Sequence, residues 1–297
     1  MEEFDLKPQE YLSPTSINAY LRCPRCYFYQ YIAKLPTPPS IHLVKGIIIH
    51  ETLEYFFKGY TSPLEAHLWD LFSKSFKRHK KEFDDLELPE EEQQQHKQDM
   101  RNMINEYFES FKRKINNLVQ SGKAENERHA FFLLKPKMRE HYVKNDDLHM
   151  RGYIDRVDKD YNGVVTIGDY KTSGKYGIGF PIEYKRQLAI YSLLYKEQEH
   201  ETPDFASVIF LRYGEEYLLG ITPDVIKEAR NLINEIYEKT RSINIEDYPV
   251  TMGDTKFCPF ADLHDGGDEW KKRVRMERLK KKLSKKTEDT QDIDDKK

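Results

Sequence analysis

The chain has 297 residues, of which 33% are charged and 38% hydrophobic, and its formal net charge is −3. This length suits one large domain or a core with a subdomain, and the charge argues against wholesale electrostatic binding to nucleic acid while leaving room for a local basic groove. No apolar run reaches the roughly 20 residues that span a bilayer, and the acidic N-terminus is unlike a signal peptide, so we expect a cytoplasmic protein with no membrane partner. Three cysteines make no disulfide framework and favour free thiols or a metal site.

Residues 1–60 are predicted to form an N-terminal helical part. Ser13 is a favourable cap for a helix that continues through Ile17, and Cys23 with the following proline disturbs its continuation. A second helix is predicted over 48–58 and carries His50.

Residues 61–130 have a very polar helical pattern, with apolar residues recurring at spacings of three and four. Within this range, 82–99 is rich in acids and glutamine and is interpreted as a mobile junction. We therefore predict a helical insertion or subdomain over 61–130.

Strand patterns begin after the insertion and alternate with helices. Strands are predicted over 131–134, 138–143, 150–157, 164–170, 206–213 and 216–221, and helices over 182–197 and 222–242. Strands flanked by helices predict an α/β core with a central mixed β-sheet, which we place at 131–265. Residues 266–297 are predicted to be a charged, flexible tail with a basic stretch over 271–286.

Two neighbouring strands carry two acids and a lysine. Asp155 lies near the end of one strand, and Asp169 and Lys171, two residues apart, point the same way from the next. Two carboxylates beside an ammonium can hold a divalent cation and a water nucleophile, which suggests metal-dependent phosphodiester hydrolysis. A strand-end salt bridge is the alternative explanation for the Asp-x-Lys pattern.

Other polar side chains accompany this pattern. His50 precedes it on a helix, Gln187 and Tyr191 follow it on one face of another helix, and Glu140 is a further acid on the strand before the hairpin. Each has an ordinary alternative, because His50 can cap or pack within its helix, and Gln187 and Tyr191 can be surface and core residues. Arg156 and Asp158 are interpreted as a surface pair.

With these residues in this order, the chain resembles the RecB-like branch of the PD-(D/E)XK nuclease superfamily, which includes AddB-type nuclease domains and CRISPR-associated RecB-like exonucleases. The similar parts are 12–60 and 138–265. The resemblance implies a restriction-endonuclease-like core. It also implies a Mg²⁺- or Mn²⁺-dependent DNA nuclease, acting on single strands or ends as an exonuclease in repair, recombination or CRISPR-type processing.

The resemblance also implies a role for each residue of the pattern. The metal ligands would be Asp155, Asp169, the Tyr170 carbonyl and His50. Lys171 would orient or help to deprotonate water, and Gln187 and Tyr191 would hold the nucleic-acid backbone or the active-site loop. The implied catalytic residues are Asp155, Asp169, Lys171, Gln187 and Tyr191.

The cysteines depart from the pattern of the resembled nucleases. Several of those hold an iron–sulfur cluster with one N-terminal cysteine and a C-terminal Cys-x2-Cys-x5-Cys group, in which this chain has Thr255 first and His264 last. A second metal or cluster site could instead be formed by Cys23, Cys26, Cys258 and His264, with zinc or an iron–sulfur cluster as its occupant. Buried, unligated thiols are the alternative.

Two other functions stay open at this point. One is a catalytically inactive nucleic-acid-binding or assembly protein, in which the basic stretch 271–286 binds DNA or a protein partner. The other is a hydrolase of a different phosphoester. Six cations near the motifs are candidate phosphate contacts or surface salt-bridge partners: Arg22, Arg25, Lys34, Lys45, Lys185 and Arg186.

Overall fold

The structure is a computed structural model that describes residues 6–160, 162–174, 180–251, 258–264, 267, 269–274 and 276. The chain divides into two compact units, one comprising Met1–Pro38 with Asn234–Lys297 and the other Pro39–Ile233. Across the described ranges, no helix is both long and apolar enough to cross a membrane. The four segments expected from the sequence stay a prediction.

The first unit begins with short helices. Helix α1 (Pro14–Arg22) is capped by Ser13, whose side chain accepts a hydrogen bond from the Ser16 N–H, which confirms the predicted helix start. Helix α2 (Pro24–Tyr27) follows at once and continues into a π-helical turn, Phe28–Ile32. The unit also contains the 3₁₀ turns Ile245–Asp247 and Ala261–Leu263.

The second unit contains a five-stranded sheet in the order β1-β2-β3-β4-β5. The strands are β1 (Met138–Asn145), β2 (Met150–Lys159), β3 (Val165–Lys171), β4 (Phe205–Phe210) and β5 (Glu215–Gly220). Strands β3 and β4 are parallel and the other neighbours are antiparallel. The helix α8 (Ile182–Glu199) lies in the connection between β3 and β4, since parallel strands need a crossover. The predicted mixed sheet is confirmed.

Helices cover both faces of this sheet. One hydrophobic core is shared by Tyr170 and Ile209 of the sheet, by Leu211 just after β4, and by the apolar faces of five helices: α3 (Ile41–Phe56), α4 (Leu64–Arg78), α5 (Lys80–Asp84), α6 (Glu90–Gln120) and α7 (Glu127–Leu134). Asp169 and Lys171 flank Tyr170 along β3 and therefore point to the opposite face, where α8 lies. Helix α9 (Pro223–Lys239) follows β5 in the chain.

Three local predictions were wrong. Residues 131–134 are the last turn of α7 and not a strand. The Asn126 side chain caps this helix, and the helix buries Phe131 in the core. Much of 82–99 is helical, since three glutamates favour the first turn of α6. The helix predicted over 48–58 is α3, which begins earlier, at Ile41, because Gly46 lies inside it and does not interrupt it.

Lys45 is buried with its side chain 5% exposed, and its ammonium lies 2.7 Å from Asp99, so it forms an internal ion pair and not a phosphate contact.

Most of the predicted tail lies outside the described residues, as do Thr255 and all of the basic stretch beyond 276. The short described part, 269–274, is helical.

Candidate active site

Strands β2 and β3 bring the two predicted acids together. Arg156 of β2 pairs with Gly168 of β3 at the end of the antiparallel ladder. The same register places the next residues, Asp155 and Asp169, opposite one another. The Tyr170 backbone N–H donates a hydrogen bond of 2.7 Å to Asp155 Oδ2. Asp169 is buried, with 4% of its surface exposed. The fold thus places two mostly buried carboxylates next to one another.

Gln187 links the second acid to the lysine. Its amide nitrogen donates to Asp169 Oδ1 at 2.8 Å, and its amide oxygen accepts from Lys171 Nζ at 3.0 Å. Lys171 Nζ also lies 2.6 Å from Asp169 Oδ2. The three side chains therefore form a closed polar triangle.

His50 approaches the same carboxylates from α3. Its Nδ1 lies 3.5 Å from Asp155 Oδ2, and its Nε2 lies 3.1 Å from the Tyr170 carbonyl oxygen, to which it is placed to donate. Burial disfavours the protonated ring, but the charges of Asp155 and Asp169 outweigh burial and raise the pKa of His50 to about 9. In the metal-free protein His50 therefore carries a proton that a metal would displace.

Burial and neighbouring charges shift the pKa values of the other groups in the site in different directions. Burial raises the pKa of Asp169 to about 6, although Lys171 opposes the shift. Burial also opposes the charge of Asp155, but His50 and the Tyr170 N–H outweigh it and lower the pKa of that carboxyl. The pKa of Lys171 is raised because Asp169 overcomes the cost of burial. Lys171 is therefore charged at neutral pH.

Tyr191 lies one turn after Gln187 on α8 and is buried. Burial, with the negative charges of Asp169 and Asp155, raises the pKa of its hydroxyl. Tyr191 is thus a neutral phenol near the carboxylates.

Glu140 also lies in this group, although the sequence analysis assigned it no role as a ligand. One ligand atom from each of His50, Glu140 and Asp155 lies within 4.8 Å of the others. Burial and the charge of Asp155 raise the pKa of Glu140 to about 7. The signal that could have found it is its position across the hairpin from Asp155.

The donor set suits a hard divalent cation. Carboxylates, one imidazole and one backbone carbonyl are ligands that Mg²⁺ or Mn²⁺ accepts. Asp169 Oδ2 is buried and receives no directed hydrogen bond among the described residues, although the Lys171 ammonium is close. A buried carboxylate oxygen with unused acceptor capacity fits a site that binds a cation.

Sequence comparison adds an independent finding. The family model of the PD-(D/E)XK nuclease superfamily matches residues 11–263. The chain belongs to the PD-(D/E)XK nuclease superfamily. The triplet Asp169-Tyr170-Lys171 matches the acid-x-lysine part of the superfamily's name. PD-(D/E)XK nucleases generally use divalent metals such as Mg²⁺, in agreement with the donor set described above.

Other similarities to this PD-(D/E)XK chain are more distant. A solved structure of a putative exonuclease from Eubacterium rectale is 14% identical, and the match covers 79% of this chain and 81% of that chain with a TM-score of 0.44. No curated protein matches significantly.

Arg156 links β2 and β3 of this PD-(D/E)XK core to helix α6. Its side chain is 12% exposed and pairs with both carboxylate oxygens of Asp158, at 2.8 and 2.7 Å. It also donates to the hydroxyls of Tyr107 on α6 and Tyr170 on β3. The pair with Asp158 is present, but the prediction that it lies at the surface was wrong, because α6 covers Arg156.

The cysteine group lies in the other unit. His264 Nε2 lies 3.8, 3.3 and 3.4 Å from the sulfur atoms of Cys23, Cys26 and Cys258. All four potential ligand atoms are within 4.8 Å of one another, and the Cys26 N–H points to Cys23 Sγ. Cys26 and Cys258 are joined as a disulfide with Cα atoms 6.3 Å apart, which the sequence did not predict, and Cys23 keeps its thiol.

Proposed function

We propose that this protein is a Mg²⁺- or Mn²⁺-dependent deoxyribonuclease. The observation that carries the proposal is the triangle of Asp169, Lys171 and Gln187 beside Asp155 and His50. A salt bridge that only stabilised the strand end would not need a second acid and an imidazole at the same place. Membership of a nuclease superfamily makes nucleic acid the expected substrate.

Each side chain has a distinct task in this proposal. Asp155, Asp169, His50 and the Tyr170 carbonyl would hold the ion, which when bound supplies Lewis-acid activation of the phosphate and of water. Lys171 is charged, so it donates hydrogen bonds to the phosphate or to the attacking water and does not act as a base. Its ammonium thereby stabilises the negative charge that develops on the phosphate.

Gln187 and Tyr191 act from helix α8. Gln187 fixes the position of the Asp169 carboxylate and of the Lys171 ammonium at the same time, through its two hydrogen bonds. Tyr191 is neutral and lies near the carboxylates, so we assign it contact with the substrate backbone or the active-site loop. The preference for single strands or DNA ends, and a place in repair, recombination or CRISPR-type processing, are proposed from the resemblance to RecB-like exonucleases.

The test is an assay on end-labelled linear single- and double-stranded DNA, circular single-stranded DNA and RNA, with Mg²⁺ or Mn²⁺. We expect cleavage of linear DNA that is lost in Asp169→Ala and Lys171→Ala. Matched controls are Asp70→Ala and Lys74→Ala, because these residues form an exposed ion pair of the same types on α4. Both controls should retain wild-type cleavage.

The substrate panel separates the alternatives. Cleavage of circular DNA would replace the exonuclease assignment by an endonuclease. DNA binding without cleavage under any metal would favour the inactive binding protein. Equal cleavage by the wild type and by both active-site variants would overturn the proposed function.

We also propose that Cys23, Cys26, Cys258 and His264 bind one zinc ion in the reduced protein. Tetrahedral zinc with thiolate and imidazole ligands sets sulfur and nitrogen about 3.6 Å apart, close to the three distances given above. An iron–sulfur cluster would hold its ligands further apart, so the spacing favours a single ion. The disulfide and the metal exclude one another, since both need the Cys26 and Cys258 sulfurs.

Metal analysis of protein purified anaerobically under reducing conditions tests this site. We expect about one zinc per chain, lost in Cys23→Ser and His264→Ala and retained in His129→Ala, a histidine in the other unit. Iron with sulfide would identify a cluster instead of zinc. Absence of both at stoichiometric levels would overturn the site.

A further inference from the structure

Glu140 on β1 faces Asp155 on β2. The flanking pairs Arg139↔Arg156 and His141↔Ile154 leave Glu140 directly across from Asp155. Together with His50 they bring one ligand atom each from α3, β1 and β2 to within 4.8 Å of one another. Helix α3, which is distant in sequence, and the consecutive strands β1 and β2 therefore bring together three side chains of types that can bind a metal.

This arrangement is unfavourable without a cation. Like charges directly opposite one another on antiparallel strands repel, and partial burial strengthens the repulsion. Among the described residues, no lysine or arginine forms an ion pair with the Glu140 carboxylate, whereas Asp169 has Lys171 beside it. A protonated His50 offsets part of this repulsion in the metal-free protein, and a divalent ion would offset more of it, because it carries two positive charges.

The backbone of Glu140 is strained. Its φ is +45°, in the left-handed region that side chains other than glycine rarely adopt. Such a conformation is costly for a residue with a side chain and occurs often in active sites and ligand-binding segments. A glycine would relieve this strain, so the glutamate side chain gives the position its function.

We propose that Glu140 is a carboxylate ligand of the divalent ion that Asp155 and His50 hold. The inference rests on the metal site of the proposed nuclease and adds a residue to it. The expected ions are Mg²⁺ and Mn²⁺, because the added donor is a hard carboxylate oxygen.

The test measures Mn²⁺ binding to the full chain by titration calorimetry and by electron paramagnetic resonance, without any DNA. Glu140→Gln removes the charge at constant size, and Glu140→Gly removes the carboxylate while relieving the backbone strain. Both should weaken Mn²⁺ binding about tenfold or more. Their metal-free melting temperatures should equal or exceed that of the wild type, which excludes misfolding as the cause.

Glu54→Gln is the matched control. Glu54 lies on α3 one turn after His50, forms an ion pair with Lys58, and contributes to the negative field at Glu140 without belonging to the three-residue group. It should weaken Mn²⁺ binding less than about threefold, as expected of a partly screened charge. Wild-type affinity in both Glu140 variants, or an equal loss in Glu54→Gln, would overturn the assignment. If the wild type cleaves no nucleic acid while Mn²⁺ affinity depends on Glu140, the proposed nuclease function fails and the ligand assignment stands.

Discussion

Gln187 Nε2 donates a hydrogen bond of 2.8 Å to Asp169 Oδ1, so a residue of helix α8 fixes the carboxylate of the acid-x-lysine motif. The same amide accepts a hydrogen bond from Lys171 through its oxygen. The carboxylate and the ammonium are thus held relative to one another by a group that lies outside the sheet. A site built in this way should depend on the amide as a positioning group.

We expect Gln187→Ala to lower kcat of DNA cleavage about 10- to 100-fold with little change in KM, since positioning groups act mainly on the chemical step. Steady-state kinetics on labelled DNA measures this. Gln198→Ala is the control, because Gln198 is on the same helix but bonds the β1 backbone at the exposed end. Comparable losses in the two variants would contradict the positioning role of Gln187.

Gly168 on β3 should not tolerate a side chain. A Cβ there would lie 2.6 Å from Cγ and 2.9 Å from Cδ of Arg156, whose guanidinium is held by Asp158 and two tyrosine hydroxyls. We expect Gly168→Ala to lower the free energy of unfolding by about 1–3 kcal/mol in denaturant titration. Gly220→Ala on β5, where a Cβ meets nothing within 4 Å, should change it by less than about 0.5 kcal/mol. Equal losses of unfolding free energy in the two variants would contradict this expectation, because they would show that the Arg156 side chain moves aside for the added Cβ.

Replacement of Arg156 should weaken the contact between α6 and strands β2 and β3. Arg156→Lys loses the two-point bond to Asp158 and the donors to Tyr107 and Tyr170, so we expect a loss of about 1–3 kcal/mol in unfolding free energy. Arg230→Lys is the control, since its bond to Glu197 is more exposed and should contribute less than about 1 kcal/mol. Thermal and denaturant unfolding compare the two. A larger loss in Arg230→Lys would contradict the supporting role of Arg156.

The response to pH should differ with and without metal. Protonated His50 stabilises the metal-free fold below its ordinary pKa, and this stabilisation is lost as pH rises through about 9. The raised pKa values of Glu140 and Asp169, about 7 and about 6, act in the same direction, because the folded protein favours their protonated forms. The melting temperature of the metal-free protein should therefore fall as pH rises from about 6 to about 9.

Mg²⁺ binding requires His50, Glu140 and Asp169 to be deprotonated. The rise in melting temperature that Mg²⁺ causes should therefore grow as pH rises from about 6 to about 9. Differential scanning measurements at several pH values, with Mg²⁺ or with chelator, test both statements. A Mg²⁺-induced shift that does not depend on pH would contradict them.

The sequence by itself determined the features that depend on neighbouring residues. The Ser13 cap, the alternation that places Asp169 and Lys171 on one face of β3, and the spacing of Gln187 and Tyr191 on α8 all follow from periods of two or about four residues. The mixed sheet flanked by helices followed from the order of such segments.

The tertiary structure decided which distant groups meet. His50 and Tyr170 are 120 residues apart, Lys45 and Asp99 are 54 apart, and Arg156 and Tyr107 are 49 apart. Glu140 meets Asp155 and His50 because β1 and β2 pair in this register and because α3 packs beside them. Local periodicity shows which face a side chain occupies, whereas packing of whole elements determines the partner that it finds there.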